Sequence, residues 1–290
     1  MICSKIMCGW WSADTVAVVT GANKGVGYEI ARQLARNGLT TVVTARDVSR
    51  GNKAVEALRS EVNSDRVVFH PLDVCSEESA SALSKWLKQT YGGVDILINN
   101  AGVLYKENES LEDITTTLQT NYYGVKYVTK AMLPVLRQSP AGARVIIVSS
   151  KLGQLNSLRN HYPEELFKNR EQITEDGVDE FVKAFMEEMK TGKGPGGWPA
   201  RGYSASYCVS KMAVNGYMSV VAREVSNRPD GEKVYVNSFT PGYTSTDMTS
   251  SKGHTVEEGA MTGVWLALHP PQDYPTGKFW ADKCGGVIPF

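Results

Sequence analysis

Short β-branched runs alternate with amphipathic helical patterns along most of this chain, and that alternation allows very few folds. Thr15 to Thr20 reads as a strand and runs straight into a glycine-rich turn. The spacing then predicts a helix over 25–37, with Val26, Ile30 and Leu34 on one face. Further strands are expected at 40–45, 67–70, 94–98, 144–149 and 234–239, with helices over about 49–62 and 76–90. A long helix is expected from about 110 to 137, and Pro134 should kink or close it. Continuous apolar strands separated by helices imply a parallel sheet covered on both faces, a doubly wound α/β fold. Ligands of such sheets bind beyond the carboxyl ends of the strands, so the residues just after each strand carry the functional information.

One stretch breaks the rhythm. The 56 residues between Ser150 and Tyr207 hold no strand pattern. Val178, Phe181, Val182, Phe185, Met186 and Met189 fall on one face of a helix, and Gly192 to Gly197 then makes a flexible stop. This is expected to be an insertion on the outside of the sheet, its apolar stripe serving as core.

Composition narrows the function classes. Thirty-one basic residues balance 31 acidic ones, which offers no general attraction to nucleic acid or anionic lipid. The five cysteines are scattered, and no Cys/His group has metal-ligand spacing, so reduced thiols and no metal are expected. The longest apolar runs, such as Val145 to Val148, are of strand length, and Ile6 to Trp11 is too short for a signal-peptide core. A soluble cytoplasmic protein is expected.

The chemistry sits where the fold would put it. Gly21, Gly25 and Gly27 lie between the first strand and first helix, where tight turns let a pyrophosphate approach a helix N-terminus. At the end of the second strand Ala45 and Arg46 stand where an acid would select an unphosphorylated ribose. With Lys24 in the turn, they read either as a 2′-phosphate site or as solvated cations, and Asp47 is placed to neutralise Arg46. Asn99 to Gly102 follow the fourth strand, and Ser149-Ser150 the fifth. Tyr207 and Lys211, four apart on an expected helix from about Ser204, share a face, and a cation beside a phenol lowers its pKa. Tyr203 is a rival phenol, and Ser149 a rival to Ser150.

Taken together, the glycine turn 21–27, Asp73, Asn99 to Gly102, Asn121, Ser150, Tyr207 with Lys211, and Pro241-Gly242 resemble the short-chain dehydrogenase/reductases. The long insertion, Gly197-Trp198-Pro199, Thr44 to Asp47 and Gly277 to Phe279 are similar to one branch, the monomeric carbonyl reductases. Plant neomenthol dehydrogenase-like and salutaridine reductase-like enzymes belong to that branch. The resemblance implies a single Rossmann-like domain over 14–290, an N-terminal extension 1–13 and an insertion 151–203. It also implies a monomer that uses NADPH. Tyr207 would be the general acid, Ser150 would bind the carbonyl oxygen, Lys211 would hold the ribose and lower the Tyr207 pKa, and Asn121 would position a relay water. Ser150 is favoured over Ser149 on the same ground. The cofactor would lie against Gly21, Asn23, Lys24, Gly25, Val26, Gly27 and Arg46, with Asp73 and Val74 near the adenine. Asn100, Ala101 and Gly102 would follow the ribose, and Pro241, Gly242, Thr244 and Thr246 the carboxamide and phosphates, joined by Tyr207 and Lys211. Leu152, Trp198, Tyr243 and Met248 are candidates for the substrate pocket.

The expected activity is reduction of a ketone or aldehyde on a small apolar, terpenoid- or alkaloid-like molecule. The alternatives are reduction of a conjugated C=C bond, or a non-catalytic NADPH-binding protein. Retention of Asn121, Ser150, Tyr207 and Lys211 speaks for the enzyme.

Overall fold

The computed structural model describes residues 9–105, 109–155, 166–192, 198, 205–272, 274–282 and 286–287. β1 (Val16–Val19), α1 (Gly25–Arg36), β2 (Thr40–Ala45), α2 (Val48–Val62), β3 (Val67–Pro71), α3 (Glu77–Tyr91) and β4 (Ile96–Asn99) form the first half. α4 (Leu111–Leu118), a π turn (Gln119–Tyr123), α5 (Gly124–Met132) and β5 (Ala143–Val148) follow. The rest comprises α6 (Glu175–Thr191), α7 (Ala205–Glu224), β6 (Val234–Phe239), α8 (Val256–Leu268), β7 (Lys278–Asp282) and β8 (Gly286–Val287).

The strands make one sheet in the order β3-β2-β1-β4-β5-β6-β7-β8, parallel throughout except for the antiparallel β8. Alternate residues of β1 serve opposite faces. Val16 and Val18 join the core under α3, α5 and α7, while Ala17 and Val19 join the core under α1, α2 and α8. A sheet buried on both sides explains the unbroken apolar runs. The strand order reverses between β1 and β4, so a crevice opens beyond their carboxyl ends.

Three features differ from the sequence reading. The long helix expected over 110–137 is divided: α4 gives way to the π turn, α5 ends at Met132, and Pro134 sits in a closing 3-10 turn. α8, β7 and β8 had no counterpart in that reading. The insertion helix α6 packs chiefly on α7 and α4, so it rests on the helical layer rather than directly on the sheet.

α6 is fastened firmly. Val178, Phe181, Val182 and Phe185 are buried, Met186 and Met189 half-buried. Asp179 accepts hydrogen bonds from the Tyr122 hydroxyl and Lys126 Nζ at 2.6 Å each, and Glu175 pairs with Lys126 at 2.8 Å. The Arg223 guanidinium donates to the carbonyls of Arg170, Glu171 and Ile173 at 3.1, 3.0 and 2.5 Å. Gly216 brings α7 close, since a Cβ there would lie 2.5 Å from Phe167. Of the expected N-terminal extension, the described part lies at the base of the sheet, with the Arg144 guanidinium 3.8 Å from the Trp10 ring centre. No helix among the described residues is long and apolar enough to cross a membrane.

Candidate active site

The glycine turn after β1 folds as its residue types require. Gly21 and Gly25 both adopt φ of +62°, a conformation that favours glycine. A Cβ on Gly21 would lie 3.0 Å from Ala101 Cα, and one on Gly27 would lie 2.3 Å from Asn100 Nδ2. The Thr20 hydroxyl oxygen accepts from the backbone N–H groups of Asn100 and Ala101 at 2.9 Å each, and Asn100 Nδ2 donates to Thr20 O at 2.8 Å. The two strand ends flanking the crevice are thereby tied into one wall.

α1 begins at that wall with no side-chain cap and no acid in its first turn. α2, α3, α4, α6 and α8 each start on a side-chain cap, from Asp47, Ser76, Ser110, Thr174 and Thr255. Free N–H groups at a helix N-terminus suit an anion such as a pyrophosphate, and the Cβ-free cradle of Gly21 and Gly25 fits its approach. Asn23 and Val26 are half-buried in the same turn.

The two candidate 2′-phosphate cations are differently placed. Arg46 is exposed after β2 and makes no ion pair among the described residues. Asp47 does not neutralise it, because its carboxylate caps α2 through Arg50 N at 2.9 Å and faces Arg50 Nε at 3.5 Å. Lys24 reaches across the crevice to Asp247 at 2.6 Å. Thr246, beside Asp247, covers the turn, with Cγ2 3.5 Å from where a Gly25 Cβ would sit. Asp73 is half-buried and accepts from Cys75 N at 3.0 Å, while Val74 is buried against Gly124. On the opposite lip Thr244 donates to Pro241 O at 2.9 Å, and Gly242 turns with φ of +74° beside His254.

Asn121, Ser150, Tyr207 and Lys211 come together deeper in the crevice. Lys211 is 4% exposed and donates to Val148 O at 2.8 Å, with Nζ 5.4 Å from the Tyr207 ring centre. Burial lowers its ammonium to about 8. Burial pushes the Tyr207 phenol up to about 12, against the pull of a hydrogen bond from Ser150. Lys211 was expected to lower the phenol; here desolvation is the largest influence on it, and the group that opposes desolvation is Ser150.

α7 places the two rival serines differently. Ser149 is buried and its hydroxyl donates to Lys211 O at 3.4 Å, whereas Ser150 meets the phenol. Tyr203 lies outside the described residues. Asn121, in the π turn, is fully buried; its Oδ1 accepts from Val103 N at 2.8 Å, and its Nδ2 donates to Val103 O at 2.9 Å and Ser210 Oγ at 3.1 Å. Ser210 in turn donates to Tyr207 O at 2.8 Å. A Cβ on Gly102 would lie 3.2 Å from Asn121 Oδ1 and 3.7 Å from Lys211 Nζ.

Of the pocket candidates, Leu152 and Met248 are half-buried and Tyr243 is 59% exposed. Trp198 is a correction: its ring packs on Phe181 and Phe185, and its Nε1 donates to Glu188 at 2.7 Å, so it belongs to the insertion's own core. Sequence reasoning also missed Asp247, Ser210 and the anchoring role of Thr20. Thr20 had a signal, since it directly follows β1.

A doubly wound sheet with an uncapped first helix and a Ser-Tyr-Lys cluster in the crevice is the arrangement of an oxidoreductase working with a nicotinamide cofactor. The chain belongs to the short-chain dehydrogenase/reductase family: the short chain dehydrogenase family model matches residues 15–162 and 195–257. The unmatched interval spans all of α6. Among its relatives is (+)-neomenthol dehydrogenase of Arabidopsis thaliana, 36% identical over 92% of this chain and 96% of the relative. Carbonyl reductase [NADPH] 1 of Homo sapiens is 39% identical over 92% of this chain and 96% of its own. Among solved structures, salutaridine reductase from Papaver somniferum matches with a TM-score of 0.84 at 34% identity, covering 93% of this chain and all of that one.

Proposed function

We propose that the protein is an NADPH-dependent reductase of ketones or aldehydes on small apolar molecules, working in the cytoplasm. The observation that carries the reading is the contact of Ser150 with Tyr207 beside the buried Lys211. The printed names of the carbonyl reductase and neomenthol dehydrogenase relatives support the substrate class.

NADPH would lie on the Gly21–Gly27 turn at the N-terminus of α1, with Arg46 and Lys24 toward its 2′-phosphate and Asp73 and Val74 toward the adenine. Asn100, Ala101 and Gly102 would border one side of the crevice, Pro241, Gly242, Thr244 and Thr246 the other. When bound it supplies the hydride. With the phenol at about 12, Tyr207 keeps its proton at neutral pH and holds it at Oη for a carbonyl oxygen. Ser150 offers that oxygen a second donor, stabilising the charge that develops on it. The Lys211 ammonium stabilises the phenolate left behind. The Asn121 side chain is already tied to Val103 and Ser210, which fixes it beside Tyr207 and Lys211.

The domain is read as one unit over 14–290 with an insertion. α6 covers α4 and α7, the kind of helical face through which related enzymes pair, and this supports a monomer.

One α,β-unsaturated ketone tests the chemistry. With NADPH, the main product should be the allylic alcohol, and Tyr207→Phe should cut turnover by about 10²–10⁴ while cofactor binding stays near normal. A saturated ketone as main product, or activity of the variant within tenfold, overturns the assignment.

A further inference from the structure

Asn215 is a polar residue where packing alone would choose an apolar one. It lies on α7 one turn beyond Lys211, fully buried among Val209, Met212, Ala213 and Val214 of the same helix. Asparagine is a poor helix former, and burying an amide costs free energy unless each polar atom finds a partner. Both partners are present. Nδ2 donates to Gly153 O at 3.2 Å, and Oδ1 accepts from the buried Ser238 hydroxyl on β6 at 3.0 Å.

The carbonyl it holds belongs to a particular turn. Ser150 opens a 3-10 turn over Lys151–Gly153, its hydroxyl accepting from Leu152 N at 3.2 Å and its carbonyl from Gly153 N at 2.9 Å. That turn presses on α7: a Cβ on Gly153 would lie 2.6 Å from Lys211 C and O. Two other side-chain ties join this strand end to the helix, Lys211 Nζ to Val148 O at 2.8 Å and Ser149 to Lys211 O at 3.4 Å, but neither reaches the 3-10 turn itself. Ser238 supplies the third corner, since it aligns with Ile147 of β5 in the sheet register.

We propose that Asn215 is a positioning residue of the active site: by fixing the Gly153 carbonyl between α7 and β6, it holds the Ser150 hydroxyl on the Tyr207 phenol. Ser238 sets the amide's orientation, so the two act together. This rests on the reading of Tyr207 as proton donor, and the experiment separates the two. The titratable and charged groups about Tyr207 are Lys211 and Cys208 on its own helix, and Glu109 at the helix N-terminus, where it accepts from Ser206. Asn215→Leu alters none of them.

Asn215→Leu removes the tie while keeping the side chain's branched shape, in a somewhat larger side chain. Expected are a fall in kcat of at least tenfold per folded molecule and NADPH affinity within twofold of normal. The ascending limb of the alcohol-oxidation profile, along which Tyr207 loses its proton to serve as base, should also move to higher pH, because Ser150 no longer draws the phenol down. A misplacement near 1 Å is enough for such a loss. A smaller fall in kcat, or an unmoved limb, overturns the proposal. If the leucine variant does not fold, Ser238→Ala frees the amide to turn; a threefold or greater loss with the same shift of the limb is expected, and an unchanged enzyme overturns it. Tyr207→Phe is run alongside. Its inactivity with a normal Asn215→Leu defeats this proposal alone, whereas its activity defeats the reading beneath both.

Discussion

Lys211 makes the active site a burden on the fold, and replacing it by methionine measures how large a burden. Its ammonium is 4% exposed, with one described hydrogen bond, to Val148 O, and no ion pair among the described residues. Burial takes it from 10.5 to about 8. At 1.36 kcal/mol per pH unit, holding the charged form inside the fold costs roughly 3 kcal/mol at neutral pH. Methionine removes that cost and loses the bond to Val148, worth about 1 kcal/mol. Lys211→Met should therefore be about 2 kcal/mol more stable at pH 7, raising the melting temperature by roughly 3 °C, while turnover is lost. The sign follows from the proton count. The unfolded chain holds this proton up to 10.5 but the folded chain only to about 8, so the wild type gains stability between those values. By pH 10.5 most of the variant's advantage should be gone. Urea unfolding of both cofactor-free proteins at the two pH values checks this, and other titrating groups cancel in the difference. An advantage of equal size at pH 7 and pH 10.5 would refute the reasoning.

Asp247→Asn should free Lys24 and tighten NADPH about two- to fivefold with NADH unchanged, an effect that titration calorimetry reads and that vanishes in a Lys24→Ala background. Arg46→Ala should weaken NADPH and spare NADH; equal efficiency of the unaltered enzyme with both would contradict the 2′-phosphate reading. Light scattering at micromolar concentration should give a mass near 31.7 kDa, and one near twice that would contradict the monomer.

The six strands from β1 to β6 were legible because each is a short, mostly β-branched run, and all but the edge strand β3 are buried almost throughout. α8 was not, for a physical reason. Its glycines replace an apolar stripe: a Cβ on Gly263 would lie 2.7 Å from Phe239 Cζ, so the helix packs by closeness rather than by pattern. β7 begins on a lysine and β8 has two residues, too little for a period to show. The π turn has no local signature either. In the site, the motif residues could be read because each follows a strand or shares a helix face. The pairing of Lys24 with Asp247 joins positions 223 apart, and only the closed crevice brings them together. Ser149 and Ser150 differ only in how α7 meets them, and Trp198 was read as pocket because the resemblance places the insertion there, whereas its ring packs within the insertion on Phe181 and Phe185.

α7 bears Tyr207 and Lys211 toward the crevice and leans its other flank on α6. In an assembly of subunits, such a flank is steadied by a second molecule and comes loose on dilution. Here the support is tethered to the same chain, at an effective concentration on the order of millimolar. No loss of subunits by mass action can reach it. In the proposed monomer, turnover per molecule should thus stay level down to the lowest enzyme amounts an assay can follow, with the catalytic helix as steady in a trace of protein as in a concentrated solution.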